Sequence, residues 1–124
     1  MAALYHSERK MFMAKIEAEL RGNFKQILCE IEETVLGRSV SASLEDSSNI
    51  VSGDTRCAVR VYERYSYTGG NRVSMNITLL DAGGRIFVTA ITSGGSQAML
   101  FKINTYGEES FLETVTDVIE QYRV

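Results

Sequence analysis

Residues 55–104, TRCAVRVYERYSYTGGNRVSMNITLLDAGGRIFVTAITSGGSQAMLFKIN, decide how this chain is read. Four runs of alternating apolar and polar residues lie between three Gly-Gly pairs. Alternation with β-branched and aromatic residues, bounded by glycines, is the signal for strands joined by hairpins. Val73, Met75, Ile77 and Leu79 form one apolar row, and Cys57, Val59 and Val61 form another. A one-residue slip sends every side chain to the opposite face, so these rows set the expected register. Placing Val61 opposite Ile77 leaves Thr68, Gly69 and Gly70 as a three-residue loop. A two-residue turn at Gly69-Gly70 would carry Arg64 onto the face of Met75 and is set aside.

The other two pairs suit two-residue turns, where glycine supplies the positive φ of primed types without steric cost. Turning at Gly83-Gly84 sets Leu79 opposite Val88 and Ile77 opposite Ala90. Turning at Gly94-Gly95 sets Ala90 opposite Met99 and predicts a last strand through Phe101 and Ile103. The face carrying the apolar rows is the expected core. The other face divides into a polar half with Arg60, Tyr62, Arg64, Ser74 and Asn76, and an apolar half with Leu80, Phe87, Ile91 and Leu100. A solvated sheet face is normally polar, so the apolar half asks for a partner.

Outward from this stretch the chain supplies two further strands and two helices. Residues 15–21 alternate with Ile16, Ala18 and Leu20 inward, an edge strand guarded by Lys15, Glu17 and Glu19. Asn23 is a helix N-cap before the stripe Phe24, Ile27, Leu28, Ile31, Val35 and Leu36, with Gly37 as a stop. Residues 39–45 alternate again, and 46–54 read as a turn-rich loop. Ser110 followed by Glu113 is a capping box, opening a second helix on Phe111, Leu112, Val115, Val118, Ile119 and Tyr122. The expectation is an α+β fold: an antiparallel sheet of about six strands with two helices on one face. Residues 1–13 read as a flexible leader and 14–124 as a single domain.

The 124 residues, 44% of them hydrophobic with a net charge of −3, have the balance of an ordinary globular domain. Nothing in it favours nucleic acid or an anionic membrane as partner. Cys29 and Cys57 read as unpaired thiols of a reducing compartment. With no signal-like or membrane-spanning run, the expected location is cytoplasmic. His6, the single histidine, lies in the leader. Glu30, Glu32 and Glu33 read as the solvated face of a helix, and no metal or cofactor is expected. Ser93-Gly94-Gly95-Ser96 has no helix after it in this reading, so it serves a hairpin and does not cradle phosphate.

No catalytic residue is assigned, and an enzyme is the less favoured reading. Glu63, facing inward with Tyr65, is the one position that could act as a base, because burial raises a carboxyl pKa. The favoured function is an interaction module that self-associates or binds a protein through the outer sheet face, with Leu80, Phe87, Ile91 and Leu100 as its interface. Arg60, Tyr62 and Arg64, with Ser74 and Asn76 beside them, form a stripe suited to an anionic group on a partner. The alternative is a small apolar or anionic ligand held between sheet and helices, with Glu63, Tyr65 and Tyr67 as its polar end.

The segments SVSASLEDSS, RCAVRVYERYSYTGGNRVSMNITLL, ITSGGSQA and FKINTYGEESFLE together resemble a small bacterial family of unknown function, found largely in Firmicutes. The resemblance covers about 14–122, and YERYSYTGGNR and TSGGSQA are its most specific runs. It implies a bacterial cytosolic source and glycine hairpins shared across the family. It carries over no activity and no catalytic residue.

Overall fold

A computed structural model describes residues 13–38, 41–66, 71–94 and 102–124. In chain order these form β1 (Met13–Leu20), α1 (Phe24–Arg38), β2 (Ser43–Ser52), β3 (Thr55–Ser66), β4 (Asn71–Ala82), β5 (Arg85–Gly94) and α2 (Lys102–Tyr122). The strands make one antiparallel sheet in the order β1-β5-β4-β3-β2. This is the expected α+β architecture with five strands in place of six. The leader through Phe12 and the 67–70 loop lie outside the described residues, as do 39–40 and 95–101.

The Gly83-Gly84 hairpin has the derived register, with Leu79 opposite Val88 and Ile77 opposite Ala90. Both glycines have positive φ, 63° and 96°, as a primed turn requires. On its other side, however, Ala90 pairs with Ile16 of β1 and not with Met99. The row Ala14, Ile16, Ala18 and Leu20 takes the edge that the expected last strand was to occupy, and Lys102 and Ile103 already belong to α2. A three-residue alternation ahead of a long helical period is a weak strand signal, and the helical period prevails. Ser110 therefore sits inside α2 and does not cap it. Gly94 ends β5 opposite Val73. A Cβ there would lie 2.5 Å from the Arg72 carbonyl oxygen, so this glycine serves close strand approach.

The larger correction concerns β3. Arg60 lies opposite Ile77, Tyr62 opposite Met75 and Arg64 opposite Val73, with Ser66 opposite Asn71 across the loop. This is the parity that was set aside. It turns Ala58, Arg60, Tyr62 and Arg64 toward the helices and leaves Cys57, Val59, Val61 and Glu63 on the face that no described helix covers. Residues 46–52, read as a loop, extend β2, and Gly53-Asp54 joins it to β3 with Gly53 at φ 58°. Gly53-Asp54 is a two-residue hairpin turn, with the Gly-Asp pair that such a turn favours.

Asn23 caps α1 as expected, its Oδ1 accepting from the Gln26 amide at 2.9 Å. Gly37 does not stop the helix, which continues to Arg38. Phe24, Ile27, Ile31 and Val35 of α1 are buried, as are Phe111, Leu112, Val115, Val118 and Ile119 of α2. Leu36, assigned to the same stripe, is exposed. These rows close over the inward residues of β1, β5, β4 and part of β3, forming one core cluster. α2 packs on β1, β5 and β4, while α1 packs on α2 and reaches over β3. All ten residues of β2 are exposed.

Candidate functional site

On the helix side, β3 ends the apolar core with three arginines at four-residue spacing. Each meets a partner on a helix. The Arg56 guanidinium stacks over the Phe24 ring at 4.6 Å, and that of Arg64 over the Phe111 ring at 4.7 Å. Between them Arg60, 7% exposed, donates from Nε to Glu32 at 2.6 Å. It also donates from Nη1 to the carbonyls of Ser48 and Val59, and from Nη2 to Asn49 Oδ1. One guanidinium therefore ties α1, β2 and β3 together. Arginine suits this margin of the core because its stem packs while its head reaches the rim.

Tyr62, next on the same face, is fully buried. Among the described residues its hydroxyl has no hydrogen-bond partner. Burial, with the nearby Glu32 charge, pushes its pKa well above the ordinary phenol range. The stripe Arg60, Tyr62, Arg64 is thus inside the fold, not on the wet face where it was expected, and Ser74 and Asn76 point to the opposite side of the sheet. Glu63 is also reversed. It faces away from the helices and pairs with Arg72, so it is no buried base. Tyr65 is exposed on that outer face, and Tyr67 and Leu100 lie outside the described residues.

The outer face can be laid out rung by rung from the strand register. One rung runs Ile50, Cys57, Leu80, Phe87 and Glu19 from β2 to β1. The next runs Ser48, Val59, Thr78, Thr89 and Glu17, and a third runs Asp46, Val61, Asn76, Ile91 and Lys15. Four adjacent strands thus carry a continuous apolar row, with Val59, Val61 and Ile91 beside it. The register correction enlarges this patch, because Val59 and Val61 were assigned to the core. Ile50 is 59% exposed, while Cys57, Leu80 and Phe87 are half-buried by their neighbours.

Charge frames the row at its β1 end. Arg85 grips Glu19 through two bonds of 3.1 Å and stacks on Phe87 at 5.1 Å. The Arg85 hydrogen bond holds the Glu19 carboxyl below its ordinary pKa. Among the described residues no three His, Cys, Asp or Glu side chains converge as a metal-ligand set. The exposed Cys29 thiol is held above its usual pKa by its hydrogen bond to Glu33, the reverse of an activated nucleophile. Among the described residues no helix is long and apolar enough to cross a membrane.

A family model matches residues 13–123, nearly the whole described chain. The chain belongs to DUF6054, a family of unknown function. This DUF6054 chain matches no curated protein sequence. Among solved structures it is similar to a Pseudomonas aeruginosa protein of unknown function for which a regulatory role has been suggested. That likeness has a TM-score of 0.52 at 10% identity, covering 82% of this chain and 67% of the other, and it speaks to the fold alone. A ginseng major latex-like protein from Panax ginseng aligns over 91% of this chain and 99% of its own. Its 9% identity and TM-score of 0.26 carry no weight.

Proposed function

We propose that this DUF6054 chain is a non-enzymatic interaction module that docks a protein partner on the face of its sheet that no described helix covers. One observation carries the reading: Ile50, Cys57, Leu80 and Phe87 line up across four strands on a face no described helix covers. With Val59, Val61 and Ile91 beside them they make a contiguous apolar surface, the kind that marks interaction sites. Five strands about 4.8 Å apart and about eight residues long at about 3.3 Å per residue give a footprint of roughly 600 Å². That approaches the ~800 Å² per partner of a standard interface. The unpaired thiols Cys29 and Cys57 agree with a reducing, cytosolic setting.

The alternative, a small ligand between sheet and helices, has less to recommend it. Its natural polar anchor is the Tyr62 hydroxyl, and that oxygen is sealed among packed side chains. Glu63 and Tyr65, the anchors expected from the sequence, face the other way.

The test is a photo-crosslinking amino acid placed at position 80 on the outer face and, as control, at the exposed position 120 on α2. The expected result is a discrete adduct from position 80 that Phe87→Asp abolishes while circular dichroism stays unchanged. Equal adduct patterns from both positions would sink the proposal.

A further inference from the structure

The two edges of the sheet are finished differently. β1 is covered at its C-terminal end by residues 122–124: the Arg21 amide donates to the Tyr122 carbonyl at 2.7 Å, the Val124 amide to that of Glu19 at 3.0 Å, and Leu20 bridges Arg123. Lys15, Glu17 and Glu19 line the same strand, and such charges discourage edge pairing. β2, at the other end, pairs with β3 on one side and is exposed along its whole length. It contains no Pro, Lys or Arg. Its protective features, a bulge between Leu44 and Asp46 and the acids Glu45 and Asp46, are confined to its first half. Ser47–Ser52 is uncharged and includes Ile50 and Val51, 59% and 71% exposed. A long free edge of this kind is a template for an added strand.

We infer that β2 is an association site for a second copy of the chain, added antiparallel and edge to edge about a dyad at Asn49. The charge pattern sets the direction, and a register that matches itself lets an identical strand occupy the edge. Parallel addition would stack Glu45 and Asp46 on their own counterparts, and like charges directly opposite are destabilising. The antiparallel dyad sets Asp46 of each copy opposite Ser52 of the other, Ser47 opposite Val51 and Ser48 opposite Ile50. Side chains keep their faces in this register, because every pair matches odd with odd or even with even. The two Asp46 positions then stand six residues apart along the strands, about 20 Å at ~3.4 Å per residue. That is about two and a half times the ~8 Å screening length at physiological salt. A Ser52 hydroxyl also meets an Asp46 carboxylate at each end.

Two five-stranded sheets so joined make one of ten. The outer-face rung of Ile50, Cys57, Leu80 and Phe87 becomes a longer apolar floor spanning both copies. The inference does not rest on the proposed outer-face docking, since it uses backbone groups of an edge and not side chains of a face.

Sedimentation velocity over a concentration series, combined with amide exchange, tests it. The expected result for the full chain is a shift from monomer to dimer mass with rising concentration, with protection gained in Ser47–Ser52. Val51→Asp sets a carboxylate on the uncharged half of the edge, opposite Ser47 of the other copy, and remains monomeric throughout. Val51→Thr keeps the dimer, as does Phe87→Asp on the outer face. A chain that stays monomeric at every concentration overturns the inference. So does a dimer lost with Phe87→Asp but kept with Val51→Asp, which would place the contact on the face. Protection of Ser47–Ser52 by an unrelated extended peptide, without self-association, would assign the edge to another partner and equally overturn it.

Discussion

Replacing Tyr62 by Phe should stabilise the protein, contrary to the usual result of altering a fully buried residue. The ring sits at 0% exposure opposite Met75, and its hydroxyl finds no acceptor or donor among the described residues. Phe fills the same ring volume, so no aromatic packing is lost. A buried polar group left unsatisfied costs about 1–3 kcal/mol, which Tyr62→Phe relieves. Taking the low end, the gain is about 1 kcal/mol. For a chain of 124 residues, an unfolding entropy of ~2.1 cal/mol/K per residue amounts to ~0.26 kcal/mol/K. The expected rise in Tm is therefore about 4 °C. Urea denaturation followed by circular dichroism measures the first quantity, with an unchanged m-value showing that the unfolded state is not responsible. Differential scanning calorimetry measures the second. A loss of more than about 0.5 kcal/mol would mean that the hydroxyl makes a hydrogen bond in solution, and the orphan argument would fail.

Arg60→Ala should cost about 2–3 kcal/mol, below the ~3–5 of a fully buried pair because the Glu32 side chain remains 32% exposed and can rehydrate. Chemical denaturation checks this, and a cost within about 0.5 kcal/mol would return Arg60 to a solvated face. Gly94→Ala should destabilise by at least about 2 kcal/mol, since its Cβ would meet backbone atoms of Arg72 and Val73 at 2.5 and 2.9 Å that cannot swing aside. A thermal melt of the variant matching wild type would show that β4 and β5 separate there.

Local pattern alone determined most of the elements and one hairpin. The alternation in β1, β4 and β5 names the buried row in each strand, and the adjacent Gly83-Gly84 pair leaves one sensible turn length. The i, i+3, i+4 spacing of Phe24, Ile27 and Ile31 marks the buried side of α1 in the same way. What failed was register across the 67–70 loop, where both faces of β3 carry large side chains. Val59 and Val61 are more hydrophobic than Arg60 and Tyr62, so polarity by itself turns the strand over.

Only the tertiary arrangement settles that choice. β3 lies where the helix cover gives out, and there the inward side needs groups that reach a helix, as Arg56 does to Phe24, Arg60 to Glu32 and Arg64 to Phe111. The short apolar Val59 and Val61 are left to the open face, which creates the surface proposed for docking. Strand order is likewise nonlocal. That β1 pairs with β5, and β2 is left as a free edge, follows from which strands the two helices can cover together. Alternation within a strand records which side is buried, but it carries no information about which neighbour does the burying.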